Sequence, residues 1–231
     1  MNAKKIFLFQ QALFLLCTLI ILLLVFPVAG TIDLKLIHPW ISPEGQFFLR
    51  NDWYLAQLNY RWVKQLIIAV YVIFFVRWLG SFYRPDWRKF RKPDGYFLIL
   101  VLVSCGLVGV LKSLSDHACP WNMVEPTAQG FLWNFHLKHG HCFPGGHAST
   151  GFALLVGFFI YRLTEKRRAY FYLISALLLG FGLGWAQMMR GAHFLSHNLW
   201  TGWIVWAVNV LSYALFYRYL NSGEAVGDKG N

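Results

Sequence analysis

Residues 6–26 read IFLFQQALFLLCTLIILLLVF, a stretch without a charged side chain directly behind Lys4 and Lys5. At about 1.5 Å per residue, a helix of this length crosses the roughly 30 Å hydrocarbon core of a bilayer. The run is longer than the apolar core of a secretory signal, and no small-x-small cleavage site follows it clearly, so a retained membrane helix is expected. Outward from it, five further apolar windows follow, at about 63–79, 96–111, 148–163, 170–188 and 199–216. The composition agrees. Of 231 residues, 57% are hydrophobic and 13% charged, whereas a soluble domain carries roughly 25% charge. A disordered chain needs low hydrophobicity and is also argued against. The predicted fold is all-α: a polytopic membrane protein built as a six-transmembrane-helix bundle. It forms a single membrane domain over 1–231, with a short tail at 217–231 and no internal repeat.

The net charge of +11 is distributed unevenly. Lys4 and Lys5, then Arg77, Arg84, Arg88, Lys89, Arg91 and Lys92, then Arg162, Lys166, Arg167 and Arg168, then Arg218 fall on one side of a six-span topology. Lys and Arg accumulate in short cytoplasmic loops, so both termini are expected in the cytoplasm. The charge is read as topology and contact with anionic membrane lipids, not as nucleic-acid binding. All eight histidines, His38, His117, His136, His139, His141, His147, His193 and His197, fall in the opposite segments 30–62, 113–146 and 190–198, or at their edge. Polar residues at membrane depth are functional candidates. The active-site face is therefore expected to be non-cytoplasmic, which in a bacterial inner membrane means periplasmic. Disulfides persist in that compartment, and a Cys119–Cys142 bridge is expected there over two free thiols. Cys17 and Cys105 lie inside apolar spans.

Three features carry candidate chemistry. Lys112 ends the third span; taken alone, such a lysine is a snorkelling anchor. Residues 143–150, FPGGHAST, run straight into the fourth span. A Pro-Gly-Gly turn before a helix directs backbone N–H groups outward, a natural anion site at Gly145 and Gly146. His147 follows in the first turn, placed to give a proton to a leaving oxygen. Residues 187–198, QMMRGAHFLSHN, join spans five and six. His193 and His197 are four apart and share a face if helical, so one imidazole can orient the other. Arg190 supplies a fork suited to phosphate oxygens.

At these residues the sequence resembles the type 2 phosphatidic acid phosphatase/vanadium haloperoxidase superfamily, over about residues 63–216. That superfamily has three motifs: Lys, six residues, then Arg-Pro; Pro-Ser-Gly-His; and Ser-Arg, five residues, His, three residues, Asp. Here Lys112 fits the first lysine, and Cys119-Pro120 stands where Arg-Pro is expected. Pro144-Gly145-Gly146-His147 matches the second with Gly145 in place of Ser. His193 takes the place of the third motif's nucleophile, Ala186-Gln187 replaces Ser-Arg, and His197 occupies the Asp position. The sequence is similar to a divergent branch through Cys119-Pro120-Trp121 and the Arg190–Phe194 stretch.

The resemblance implies a membrane lipid phosphatase acting on a lipid monophosphate or pyrophosphate. His193 is then the nucleophile that forms a phosphohistidine, and His147 the acid for the leaving oxygen. Lys112, Arg190, Gly145 and Gly146 hold the phosphate. His197 joins the catalytic set by orienting His193, with Asn198 and Gln187 as further orienting candidates, and Gln187 lies one turn from Arg190. No metal or other cofactor is implied, and the partners are the lipid phosphate substrate and membrane lipids. Three alternatives remain open. A phosphotransferase would pass phosphate from an isoprenoid pyrophosphate to a (glyco)lipid. A metal-binding membrane protein could use His136, His139, His141 and Cys142. A non-catalytic scaffold or lipid transporter would explain the missing arginines and aspartate.

Overall fold

A computed structural model describes residues 3–138 and 140–221. The chain is helical, with one small hairpin. In order it forms α1 (Ala3–Leu24), the short α2 (Thr31–Ile37), and a π-helical run Tyr54–Val63 leading into α3 (Lys64–Gly80). Then come α4 (Arg91–Ser113), one turn of α5 (Pro120–Met123), and strands β1 (Val124–Thr127) and β2 (Gly130–Trp133). The chain closes with α6 (Gly146–Phe152), α7 (Leu155–Tyr161), α8 (Lys166–Met189) and α9 (Leu195–Asn221).

Among the described residues, five helices are long and apolar enough to cross a membrane: Ala3–Leu24, Tyr54–Gly80, Pro85–Ser113, Lys166–Met189 and Leu195–Tyr217. The expected count of six is thereby corrected. The fourth window is the shorter Gly146–Tyr161, split into α6 and α7. At the split, Leu154, Val156 and Gly157 bond three residues back instead of four, which tightens the helix. The segment is buried along most of its length, from Ala148 to Phe159. It is sheathed by α4, α8 and α9, so protein rather than lipid solvates it. Small residues allow the close fit: a Cβ built on Gly151 would lie 2.5 Å from the backbone nitrogen of Gly180 on α8.

The outer helices show the reverse pattern. Leu66, Ile73, Ile99, Leu102, Leu178, Leu211 and Leu215 are all more than half exposed. Water does not tolerate so broad an apolar belt; a bilayer solvates it. The chain is an integral membrane protein.

The apolar segments run between two chemically distinct ends. At one end the basic residues collect. Arg77 near the end of α3 makes a two-pronged ion pair with buried Asp94 of α4, Nε to Oδ2 at 2.5 Å and Nη2 to Oδ1 at 2.6 Å. Lys4 lies over the ring of Tyr217, and Arg168 over that of Tyr161. The other end carries the described histidines, the hairpin and α2.

Candidate active site

The last turn of α8 sets the site. Arg190 caps the helix, and Gly191 follows with φ +77°, the left-handed region that favours glycine. The Ala192 N–H donates to the Gln187 carbonyl at 2.9 Å and the Gly191 N–H to that of Met188 at 2.9 Å, a Schellman closure. A side chain at Gly191 would also strike Phe47, whose ring lies 2.5 Å from the built Cβ. The turn delivers His193 into the interior, where it is 2% exposed.

His193 Nδ1 lies 2.7 Å from the carbonyl oxygen of Cys142. A carbonyl only accepts, so Nδ1 carries the hydrogen and Nε2 keeps its lone pair. Burial, followed by the positive field of Lys112, pushes the His193 imidazole down to about 3, against the opposing hydrogen bond to Cys142. The ring is therefore neutral at pH 7, and its Nε2 offers a lone pair without prior deprotonation. The His147 ring, in the first turn of α6, is 6.3 Å away between centroids. A phosphorus atom bound between the rings would be within reach of both.

The Cys142 carbonyl is held from several sides. Cys142 is disulfide-bonded to Cys119, with Cα atoms 5.1 Å apart, and its N–H donates to the carbonyl of His117 at 2.9 Å. The next residues are stitched to α9: the Gly145 N–H donates to the His197 carbonyl at 3.1 Å, and Thr201 Oγ1 donates to the Gly145 carbonyl at 3.0 Å. The Gly145 amide thus holds the loop. Gly146 lies against Lys112, whose Nζ is 3.7 Å from a Cβ built on it.

His197 is fully buried, with Nδ1 3.4 Å from Nδ1 of His193 and its ring packed edge-on against His117, Phe143 and Phe194. Asn198 is turned elsewhere: its amide donates to the carbonyls of Gly184 and Phe194. Arg190 donates from Nε to the Arg50 carbonyl at 2.9 Å and from Nη1 to Gln187 Oε1 at 3.2 Å. Gln187 is 2% exposed, and its amide nitrogen is a buried donor without a hydrogen-bond partner among the described residues. Lys64, Lys112 and Arg190, all cationic, act on His147.

Two of these participants escape a sequence reading. Lys64 sits at the edge of an apolar span, the same signal that marks Lys112. Asp33, on α2, is buried and accepts from Ser196 N–H at 2.9 Å, Ser196 Oγ at 2.5 Å and Ala29 N–H at 3.0 Å. Burial pushes its carboxyl up, opposed by those bonds. The Asp33 carboxyl satisfies the backbone at the buried start of α9 just before His197, and no local pattern announces a contact 163 residues away. Of the proposed metal ligands, His139 lies outside the described residues. Cys142 is in the disulfide, and His141 Nδ1 is 2.7 Å from the Ser115 carbonyl. Among the described residues no group of three or more His, Cys, Asp or Glu could hold a metal ion.

A helical membrane bundle that gathers a neutral histidine, a second histidine and several cations at one end has the build of a membrane phosphatase. The chain belongs to the PAP2 superfamily, which matches residues 95–220. It is also similar to the lipid A 4'-phosphatase of Francisella tularensis subsp. novicida (strain U112), 27% identical over 196 residues, 78% of this chain and 84% of that protein. No solved structure matches the chain.

Proposed function

We propose that the protein hydrolyses a phosphate group from a membrane lipid on the periplasmic face, through a phosphohistidine on His193. The observation that carries this reading is the Cys142 carbonyl on His193 Nδ1, which leaves a buried, neutral Nε2 beside His147. Burial and the surrounding cations keep the His147 imidazole low in the free protein; the bound phosphate dianion offsets those cations, so that His147 picks up a proton with the substrate. Nε2 then attacks phosphorus, the bond to the lipid oxygen breaks, and the His147 imidazolium gives its proton to that oxygen as it leaves. Water then attacks the phosphohistidine, which releases phosphate and restores the imidazole. Charge on the three equatorial oxygens is met by Lys112, Arg190 and the unpartnered amide of Gln187. The site's position at the end of an apolar bundle favours an amphipathic substrate. The Francisella relative points to a phosphorylated glycolipid among lipid monophosphates and pyrophosphates. Collection of Arg77, Arg91, Arg168 and Lys4 at the opposite end supports a cytoplasmic location for that end.

The test is phosphate release by the purified full-length protein from a panel of lipid phosphates in mixed micelles, with His193→Ala alongside. Release lost in the variant, and an acid-labile radiolabelled intermediate on the wild type, are expected. Release retained by His193→Ala would overturn the assignment of the nucleophile. Release that appears only when an acceptor lipid is added would make the protein a phosphotransferase.

A further inference from the structure

Lys64 opens α3 and belongs to none of the three motifs. Its place follows from the packing of α3. Tyr71, seven residues on, donates its hydroxyl to the Thr150 carbonyl of α6 at 2.6 Å, and its ring lies 5.9 Å from that of Phe97 on α4. Phe74 stacks on Phe97 at 4.3 Å. This face of α3 therefore looks into the seam between α4 and α6. Seven residues are close to two full turns, so Lys64 lies on the same face about 10 Å nearer the histidine end. Thr150 itself is three residues, about one turn, from His147. The directions of the side chains add to this. Cα–Cβ bonds tilt toward a helix's N-terminus, so Lys64 at the start of α3 leans toward the site end. Lys112 in the last turn of α4 leans back into the bundle. The charge of Lys64 acts on His147 and on Lys112.

Like charges are brought together in a half-buried place only at a cost. With Arg190 they make three cations around His147. A single phosphate monoester carries at most two negative charges, and Lys112 and Arg190 suffice for it. We infer that Lys64 is a further substrate-binding residue, which takes a second phosphoryl group of the substrate next to the one that is hydrolysed. The inference rests on the phosphatase reading. The second phosphoryl group comes either from a lipid diphosphate or from a second phosphate on a glycolipid headgroup, and the chemistry that recognises it is the same.

The experiment compares wild type, Lys64→Met and Lys64→Arg on three substrates: a lipid monophosphate, the diphosphate of the same lipid, and a bisphosphorylated glycolipid. Losing a charged hydrogen bond corresponds to about ten- to hundredfold in affinity. Lys64→Met is expected to raise KM by at least tenfold on the diphosphate, on the bisphosphorylated glycolipid or on both, and by at least fivefold less on the monophosphate. Lys64→Arg restores most of the loss, and the substrate affected identifies the source of the second group. Equal losses on all three substrates, or no loss on any, would overturn the inference. Calorimetric titration with inorganic pyrophosphate and phosphate separates it from the phosphatase reading. If the wild type hydrolyses nothing, that reading fails. A preference for pyrophosphate that Lys64→Met abolishes would still uphold Lys64 as the second-phosphate residue, and an absent preference would refute it.

Discussion

Replacing both Cys119 and Cys142 by Ala separates what the bridge does for the fold from what it does for the proposed nucleophile, His193. The bridge spans a sequence separation of 23. In the chain-entropy account, removing a closure of that length costs about 3 kcal/mol of stability. The functional consequence is distinct. Cys142 offers its carbonyl to His193 Nδ1 at 2.7 Å and is anchored by the sulfur on one side and by its N–H to His117 on the other. Without the sulfur anchor the carbonyl drifts, and the bond that selects the Nδ1–H tautomer weakens. A hydrogen bond of this kind contributes about 1–1.5 kcal/mol, so kcat should fall about tenfold while KM changes little. The assay is steady-state phosphate release at a temperature where a parallel melting curve shows the double variant fully folded. The wild type treated with a membrane-permeant thiol reductant should reproduce the kcat loss. A folded double variant with undiminished kcat would refute the claim that the bridge positions the nucleophile, even if its melting temperature fell as expected.

Other consequences are equally direct. The folded protein holds His193 neutral down to about pH 3, whereas an unfolded chain binds that proton near pH 6.5. The unfolded state then holds more protons between these values, so stability falls as pH falls, by about 1.4 kcal/mol per unit for this group. Thermal unfolding at pH 5 and 7 should show a shallower pH dependence in His193→Phe than in wild type. Arg77→Ala leaves the Asp94 carboxylate buried without its guanidinium, and should destabilise by about 3–5 kcal/mol. Pairing it with Asp94→Ala should recover part of that loss in a denaturation series. Gln187→Leu removes the unpartnered amide. A donor on the transition-state oxygens is worth about a hundredfold in kcat, so activity should drop by that order while the melting temperature holds or rises. A fall in both would show instead that the amide serves the fold.

Much of this protein is written in local patterns. Runs such as residues 6–26 and 170–188 need only their length and lack of charge to specify membrane helices, because backbone polar groups in lipid must bond within the helix. The motif spacing at Lys112, His147 and His193 is likewise legible, since each falls where an apolar span meets a polar loop. The bridge between Cys119 and Cys142 is anticipated by their shared loop and is present in the structure. The fourth span was less well anticipated. Hydropathy cannot distinguish a helix facing lipid from one enclosed by protein, and α6 and α7 are short and tightened because α8 and α9 solvate them. The orientation of His193 lies beyond a linear reading altogether. It depends on the Cys142 carbonyl meeting His193 from 51 residues away. The start of α9, similarly, is held by Asp33. Which face of α3 carries Lys64 is set by the register in which Tyr71 reaches Thr150. Periodicity and hydropathy act between neighbours in the chain, whereas these contacts exist only once the helices have packed and their ends share one small, dry space.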